Sequence, residues 1–135
     1  MSGYDVTEFG EMDTWGVAEG TGKRFANGKD GQFLGLSVNA TDPGASSPFW
    51  HRHERSEEVY VFLEGQGKMA LDDDVIDVQA GTVVRVAPET WRAVHSAADA
   101  GRPLKWLCMR GGGDTLNAIG HDGELDRERP FPWVA

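Results

Sequence analysis

Hydrophobic and polar residues alternate in short segments through the middle of the chain. The clearest segment is 57–63, which contains Val59, Tyr60, Val61 and Phe62, and β-branched and aromatic residues of this kind favour strands. Further strands are predicted at residues 33–38, 49–53, 68–71, 75–78, 82–86, 91–96 and 104–110. Turn residues separate these segments, and no stretch of about 12 residues carries the apolar stripe of a helix. The pattern predicts an all-β sandwich or barrel.

The two ends of the chain depart from this pattern. Residues 1–31 are polar and Gly-rich and are predicted to form an N-terminal arm. Residues 32–110 are predicted to form the barrel domain. Residues 111–135 are predicted to form a polar C-terminal tail with the aromatic end Phe131-Pro132-Trp133. A length of 135 residues suits one such domain.

Composition excludes several classes of protein. The 22 acidic and 13 basic residues give a net charge of −9, which disfavours binding to nucleic acid or to an anionic membrane surface. The one cysteine, Cys108, allows neither an intrachain disulfide nor a thiolate zinc site, and it is predicted to be a small buried hydrophobe. No apolar run approaches the ~18 residues of a membrane span, and residues 1–10 lack a signal-peptide pattern. We therefore expect a cytoplasmic protein without nucleic-acid or membrane partners.

The sharpest local feature is His51-Arg52-His53, followed by Glu57-Glu58. Alternate residues of a strand point to the same face, so His51 and His53 are expected side by side. A carboxylate from the next strand would complete a set of two imidazoles and one carboxylate, which divalent iron, manganese, nickel and zinc accept. The alternative is that both histidines are polar residues on an exposed strand edge.

The same stretch resembles the first conserved motif of the cupins. The chain reads His51-x-His53-x4-Glu58-x6-Gly65, and the spacing to Gly65 selects Glu58 rather than Glu57 as the acid of the motif. The resemblance implies that His51, His53 and Glu58 hold one divalent transition metal, with Fe, Mn, Ni and Zn as the candidates.

The resemblance extends over about residues 44–96, with Gly81 at the position where the second cupin motif begins. It implies a double-stranded β-helix, the jelly-roll barrel of the cupins, with a pocket that binds a small-molecule ligand or substrate. Cupins commonly dimerise, so the resemblance also implies a homodimer.

The second motif departs from the family, because Arg92 stands where the third metal-binding histidine is expected. An arginine only donates hydrogen bonds and cannot ligate a metal, so this position supplies no third metal ligand. His95 lies three residues further on, and regular alternation places it on the opposite face. Arg92 has two readings that the sequence leaves open. It binds an anionic group of a ligand, or it forms a structural ion pair with Glu58.

Tyr60 and Phe62 have the same strand parity as Glu58, so they are expected to line the barrel interior. At those positions they either fill the core or contact a bound ligand. Both residues are therefore candidate ligand-binding residues beside Arg92.

These observations leave functions of different classes open. The first is a metal enzyme acting on a small oxygen-bearing substrate, with the oxygenase-, isomerase- or decarboxylase-like chemistry that the resemblance implies. The second is a metal-free cupin that binds or senses a small anionic or sugar-like ligand through Arg92 without catalysis. A third is an unused pocket in a protein that acts through its dimer surface.

Overall fold

The computed structural model describes residues 3–16 and 25–134, with the backbone alone for residues 25–27. Nearly all of the regular secondary structure in this part of the chain is β-strand, which confirms the all-β prediction. It contains a turn of 3₁₀ helix (Met12–Thr14) and one short helix, α1 (Leu116–Ile119). The strands are β1 (Phe25–Asp30), β2 (Gly35–Thr41), β3 (Trp50–His53), β4 (Glu57–Glu64), β5 (Gln66–Leu71), β6 (Asp74–Gln79), β7 (Val83–Val86), β8 (Arg92–Ser96), β9 (Leu104–Gly111) and β10 (Gly123–Asp126).

The strands form two five-stranded sheets with the orders β1-β2-β9-β4-β7 and β10-β3-β8-β5-β6. The pairings that define these sheets are antiparallel. Neighbours in a sheet are mostly distant in sequence, because the chain passes back and forth between the two sheets. This arrangement is the predicted double-stranded β-helix barrel.

The inward faces of the two sheets enclose an apolar core. Phe62 of β4 and Trp106 of β9 lie at its centre with ring centroids 5.7 Å apart. The buried members of the core are Tyr60, Phe62, Met69, Val78, Val84, Val86, Val94, Leu104, Trp106 and Cys108. Along β4 the inward positions run from Phe62 through Tyr60 to Glu58, so the apolar core gives way to a charged residue at the start of that strand.

A second apolar cluster covers the outer face of the β10-β3-β8-β5-β6 sheet. Its buried members are Trp50, Ala70 and Ala93. Phe131 and Trp133 pack against them from the C-terminal segment, and the rings of Phe131 and Trp50 stack with centroids 6.0 Å apart. The aromatic end of the chain therefore shields this face of the sheet.

Both sheets use strands outside residues 32–110. Strand β1 pairs with β2 along its whole length, and β10 pairs with β3 so that Gly123 lies opposite His53. The division of the chain at residues 32 and 110 stays a prediction. Residues 1–2 and 17–24 of the predicted arm, and residue 135 of the predicted tail, lie outside the described residues. In the described part of the chain, neither helix has the length or apolar character needed to cross a membrane.

Candidate metal centre

Three side chains from two strands meet inside the barrel. Strand β3 supplies His51 and His53, which share a face as predicted, and β4 supplies Glu58. One ligand atom from each of these residues lies within 4.8 Å of the other two. Arg92 of β8 is the cross-strand neighbour of His51. The structure thus brings the two predicted imidazoles and the predicted carboxylate together beside the arginine.

Glu58 is the hub of the site and is only 6% exposed. Its Oε1 accepts hydrogen bonds from Arg92 Nη1 at 2.6 Å and from the Tyr60 hydroxyl at 3.0 Å. His51 Nε2 lies 3.2 Å from the same oxygen. Burial alone would raise the pKa of Glu58, but the facing imidazoles of His51 and His53 hold it well below its usual value. The carboxylate is therefore ionised at neutral pH.

The second carboxylate oxygen, Oε2, has different neighbours. Cys108 Sγ donates to it at 3.2 Å, so this buried thiol serves the site as well as the core. His53 Nε2 faces it at 3.6 Å, which is too long for a hydrogen bond. Among the described residues, this buried nitrogen has no hydrogen-bond partner. An imidazole nitrogen directed at a carboxylate without a hydrogen bond between them is the kind of gap that a metal ion fits.

Asp122 holds the other nitrogen of His53. Its Oδ1 lies 3.0 Å from Nδ1, while its Oδ2 accepts the backbone N–H groups of Arg55 and Ser56 at 2.9 and 2.8 Å. Burial would raise the pKa of Asp122, but these amides and His53 lower it. Sequence reasoning missed this residue, because no local pattern places residue 122 beside residue 53.

The two imidazoles have opposite pKa shifts. Burial lowers the pKa of His51, and the positive charge of Arg92 adds to that effect, although Glu58 opposes it. Burial alone would also lower the pKa of His53, but the carboxylates of Glu58 and Asp122 raise it overall. His51 is therefore the more readily neutral of the two.

Arg92 is fully buried, and most of its N–H groups donate hydrogen bonds to other groups of the protein. Nε donates to the carbonyl of Thr90, and Nη2 lies 2.8 to 2.9 Å from the carbonyls of Ala87, Pro88 and Thr90. Nη1 contacts Glu58, so the structural ion pair, which is one of the two roles predicted for Arg92, is present. Contact between Arg92 and a ligand stays a prediction, and among the described residues one N–H of Nη1 is left for it.

The predicted pocket residues Tyr60 and Phe62 both belong to the core cluster. Their rings stack with centroids 6.3 Å apart. The hydroxyl of Tyr60 reaches Glu58, whereas Phe62 is fully buried among apolar side chains. Their core-filling role is evident, and ligand contact by either residue stays a prediction.

His95 lies away from this site, as strand alternation predicts. Its Nδ1 is 2.8 Å from the hydroxyl of Ser46, and its ring stacks on Trp133. A cavity of about 600 Å³ lies beside His95 and Trp133, and it borders none of the three clustered side chains. A separate cavity of about 460 Å³ borders His53 and Asp122. The second cavity is therefore the candidate route from solvent to the clustered side chains.

A two-sheet barrel with an inward set of two histidines and one glutamate is the architecture of a cupin. The family model of the cupin domain, Cupin_2, matches residues 40–110, which are just over half of the chain. The protein therefore belongs to the Cupin_2 family.

Two individual proteins are also similar to this chain. Uncharacterized protein MJ1618 of Methanocaldococcus jannaschii is 36% identical over 71 residues, which are 53% of this chain and 55% of that protein. The chain thus matches about half the length of this curated relative. A cupin protein from Bacteroides fragilis, BF4112, has a TM-score of 0.67 and 27% identity, covering 84% of this chain and 87% of that chain.

A third similarity concerns the fold alone. A Klebsiella pneumoniae protein with a double-stranded β-helix domain has a TM-score of 0.70 but only 14% identity. The alignment covers 89% of this chain and 97% of that chain. The barrel therefore matches a known double-stranded β-helix along most of its length.

Proposed function

We propose that this cupin binds one divalent transition metal through His51, His53 and Glu58 and uses it to bind a small oxygen-bearing molecule. The observation that carries the proposal is the buried Nε2 of His53, which has no hydrogen-bond partner among the described residues and faces Glu58 Oε2 at 3.6 Å. Two imidazoles and one carboxylate suit Fe, Mn, Ni and Zn. When bound, such a metal supplies a Lewis acid or an oxygen-binding site.

The surrounding residues support a cation at this position. The charges of Glu58 and Arg92 offset each other at 2.6 Å, and Asp122 adds a negative charge behind His53. Arg92 holds Oε1 of the glutamate and leaves Oε2 toward His53. In this proposal Arg92 positions the carboxylate, whereas the histidine that the cupin motif has at this position would bind the metal.

The family makes a small molecule the expected ligand, with oxygenase-, isomerase- or decarboxylase-like reactions as the proposed chemistry. A homodimer and a cytoplasmic location also stay predictions.

The acidic surroundings of the cavity at His53, with Glu54 and Glu89 on its wall, favour a neutral or cationic group at the entrance.

A second candidate function is a metal-free binding protein. It is favoured by the hydrogen bonds that Glu58 already receives from Arg92, Tyr60 and Cys108, which satisfy the carboxylate without an ion. A small anionic or sugar-like ligand would then use the remaining N–H of Arg92 Nη1. This function predicts ligand affinity that is independent of added metal.

Metal analysis of protein purified without an affinity tag separates the two candidates. We expect about one equivalent of a transition metal per chain, either as purified or after reconstitution with Fe²⁺, Mn²⁺, Ni²⁺ or Zn²⁺. Replacement of a ligand, as in His51→Ala or His53→Ala, should reduce the metal content at least tenfold, because two remaining ligands hold a metal weakly.

The matched control is His95→Gln, which alters a histidine of the same barrel outside the site and should keep the wild-type metal content. Less than about a tenth of an equivalent in the reconstituted wild type would overturn the metal proposal. Equal metal content in His53→Ala and wild type would show that any metal binds elsewhere.

A further inference from the structure

We propose that Asp122 is a positioning residue that keeps the proton of His53 on Nδ1 and thereby presents the Nε2 lone pair to the metal. This inference rests on the metal site proposed above and adds a residue from the C-terminal segment to it. Asp122 lies outside residues 40–110, which the family model matches, so nothing in that family match assigns it a role.

The first step concerns the two nitrogens of His53. Each faces a carboxylate oxygen, Asp122 Oδ1 at 3.0 Å from Nδ1 and Glu58 Oε2 at 3.6 Å from Nε2. A carboxylate only accepts hydrogen bonds, so the proton of a neutral imidazole is stabilised at the shorter contact. The proton therefore resides on Nδ1, and Nε2 is left as a lone pair.

The second step concerns the rigidity of Asp122. Its Oδ2 accepts two backbone N–H groups, from Arg55 and Ser56, and its side chain is only 4% exposed. These amides belong to the turn between β3 and β4, the two strands that carry the site. The carboxylate is thereby oriented, and Oδ1 is directed at His53. A carboxylate behind a metal-binding histidine raises the basicity of the imidazole and fixes its orientation.

The third step is how a residue distant in sequence reaches this position. Strand β10 pairs with β3 so that Gly123 lies opposite His53, and Asp122 immediately precedes that pair. A side-chain Cβ at residue 123 would lie within 4 Å of the His53 ring. Phe131 and Trp133 pack the following segment onto the sheet. The C-terminal segment therefore contributes to the metal site through one carboxylate.

The substitution Asp122→Asn tests this role with little change in shape. The amide oxygen should keep the place of Oδ2, because two N–H donors face it, and the NH₂ group should then face His53 Nδ1. An NH₂ group donates, so it favours a lone pair on Nδ1 and moves the proton to Nε2, where the metal must bind. We expect the affinity for Zn²⁺ and for Mn²⁺ to fall by about 10- to 100-fold.

Two measurements are made on the full chain. Nitrogen NMR of the imidazoles in metal-free protein at alkaline pH reports the tautomer of His53 directly, and we expect Nδ1–H in wild type and Nε2–H in Asp122→Asn. Calorimetric titration with Zn²⁺ and with Mn²⁺ reports affinity. Glu128→Gln is the matched control, since it makes the same chemical change at an exposed position of the same segment, and it should change neither result.

The outcomes separate this inference from the metal proposal. A wild-type protein that carries the Nε2–H tautomer would overturn the role of Asp122 even if metal binds. An Asp122→Asn variant with wild-type affinity for both metals would overturn it as well. If wild type binds neither metal, the proposed function fails, whereas the tautomer measurement still decides what Asp122 does to His53. The wild-type spectrum suffices for that decision even if the variant does not fold.

Discussion

At the scale of single residues, the ion pair with Glu58 gives Arg92 a structural role at the position where the cupin motif has a histidine. The guanidinium lies 2.6 Å from the carboxylate and also satisfies the carbonyls of Ala87, Pro88 and Thr90. Two buried charges are tolerable when they are paired and hydrogen-bonded, but either one alone is costly. Arg92 therefore compensates the buried charge of Glu58.

The substitution Arg92→Met should destabilise the metal-free protein by about 3–5 kcal/mol, because it leaves a buried carboxylate without its closest partner. The free energy of unfolding is measured in urea. Arg85→Met is the matched control, because Arg85 forms an exposed ion pair with Glu57 and its loss should cost no more than about 1 kcal/mol.

Equal costs for the two arginines would contradict this account of Arg92. The double variant Glu58→Gln with Arg92→Met adds a second check, since removal of the charge on Glu58 should recover part of the loss.

Strand alternation and the resemblance to the first cupin motif together predicted the candidate ligands. The motif around His51 and Glu58 is local enough that strand alternation and one turn bring its members together. Asp122 and the thiol contact of Cys108 were not predictable, because both depend on pairings between segments that lie 50 or more residues apart in sequence.

At the scale of elements, strand β8 separates two environments. Arg92 and Val94 face the barrel interior, whereas His95 faces outward. Trp133 Nε1 donates to Ser46 Oγ, whose hydroxyl is then directed at His95 Nδ1. This chain of hydrogen bonds suits a neutral imidazole, because Nδ1 must accept. Burial lowers the pKa of His95. A hydrogen bond with the backbone of Ala45 opposes this shift and the nearby charge of Lys68 adds to it, so that the pKa is lowered overall.

The lowered pKa of His95 predicts that mild acid reduces the stability of the folded protein. The folded pKa of His95 lies below the ~6.5 of an unfolded histidine. Its contribution to stability is therefore fully present above about pH 6.5 and is lost as the pH falls through the folded value. Wild type should lose stability relative to His95→Gln when urea titrations at neutral pH are repeated in mild acid. A stability difference that does not change with pH would contradict the prediction.

The strands in the two end segments were the least predictable elements. Strand β1 has the sequence Phe-Ala-Asn-Gly-Lys-Asp, and β10 has Gly-Glu-Leu-Asp. Neither sequence alternates clearly or is rich in β-branched residues. Both lie at sheet edges and are strands because β2 and β3 offer them backbone hydrogen bonds, which no local pattern reveals.

At the scale of the whole molecule, the proposed metal joins β3 to β4, two strands that belong to different sheets. A ligand that binds only the folded state stabilises it by mass action. The metal should stabilise the whole fold, because its three ligands come together only when the two sheets face each other.

Saturating metal should therefore raise the melting temperature of the full chain. At a metal concentration about 100 times Kd the gain is about 2.7 kcal/mol, which corresponds to a shift on the order of 10 °C for a domain of this size. Scanning calorimetry with and without a chelator measures the shift. His51→Ala should show almost none of it, and an equal shift in that variant would place the stabilising metal elsewhere.

The sequence by itself determined the alternating strands of the barrel, the common face of His51 and His53, the choice of Glu58 and the exclusion of His95 from that face. The strands and the faces of the three histidines follow from strand periodicity, which is a local property of the chain. The choice of Glu58 follows from the spacing of the cupin motif that this stretch resembles. Only the tertiary structure decided that Arg92 donates hydrogen bonds to Glu58 and to backbone carbonyls, that Asp122 contacts Nδ1 of His53, and that the aromatic C-terminal end covers Trp50. These features depend on which segments pair across the barrel, and that pairing is set by the packing of the whole chain.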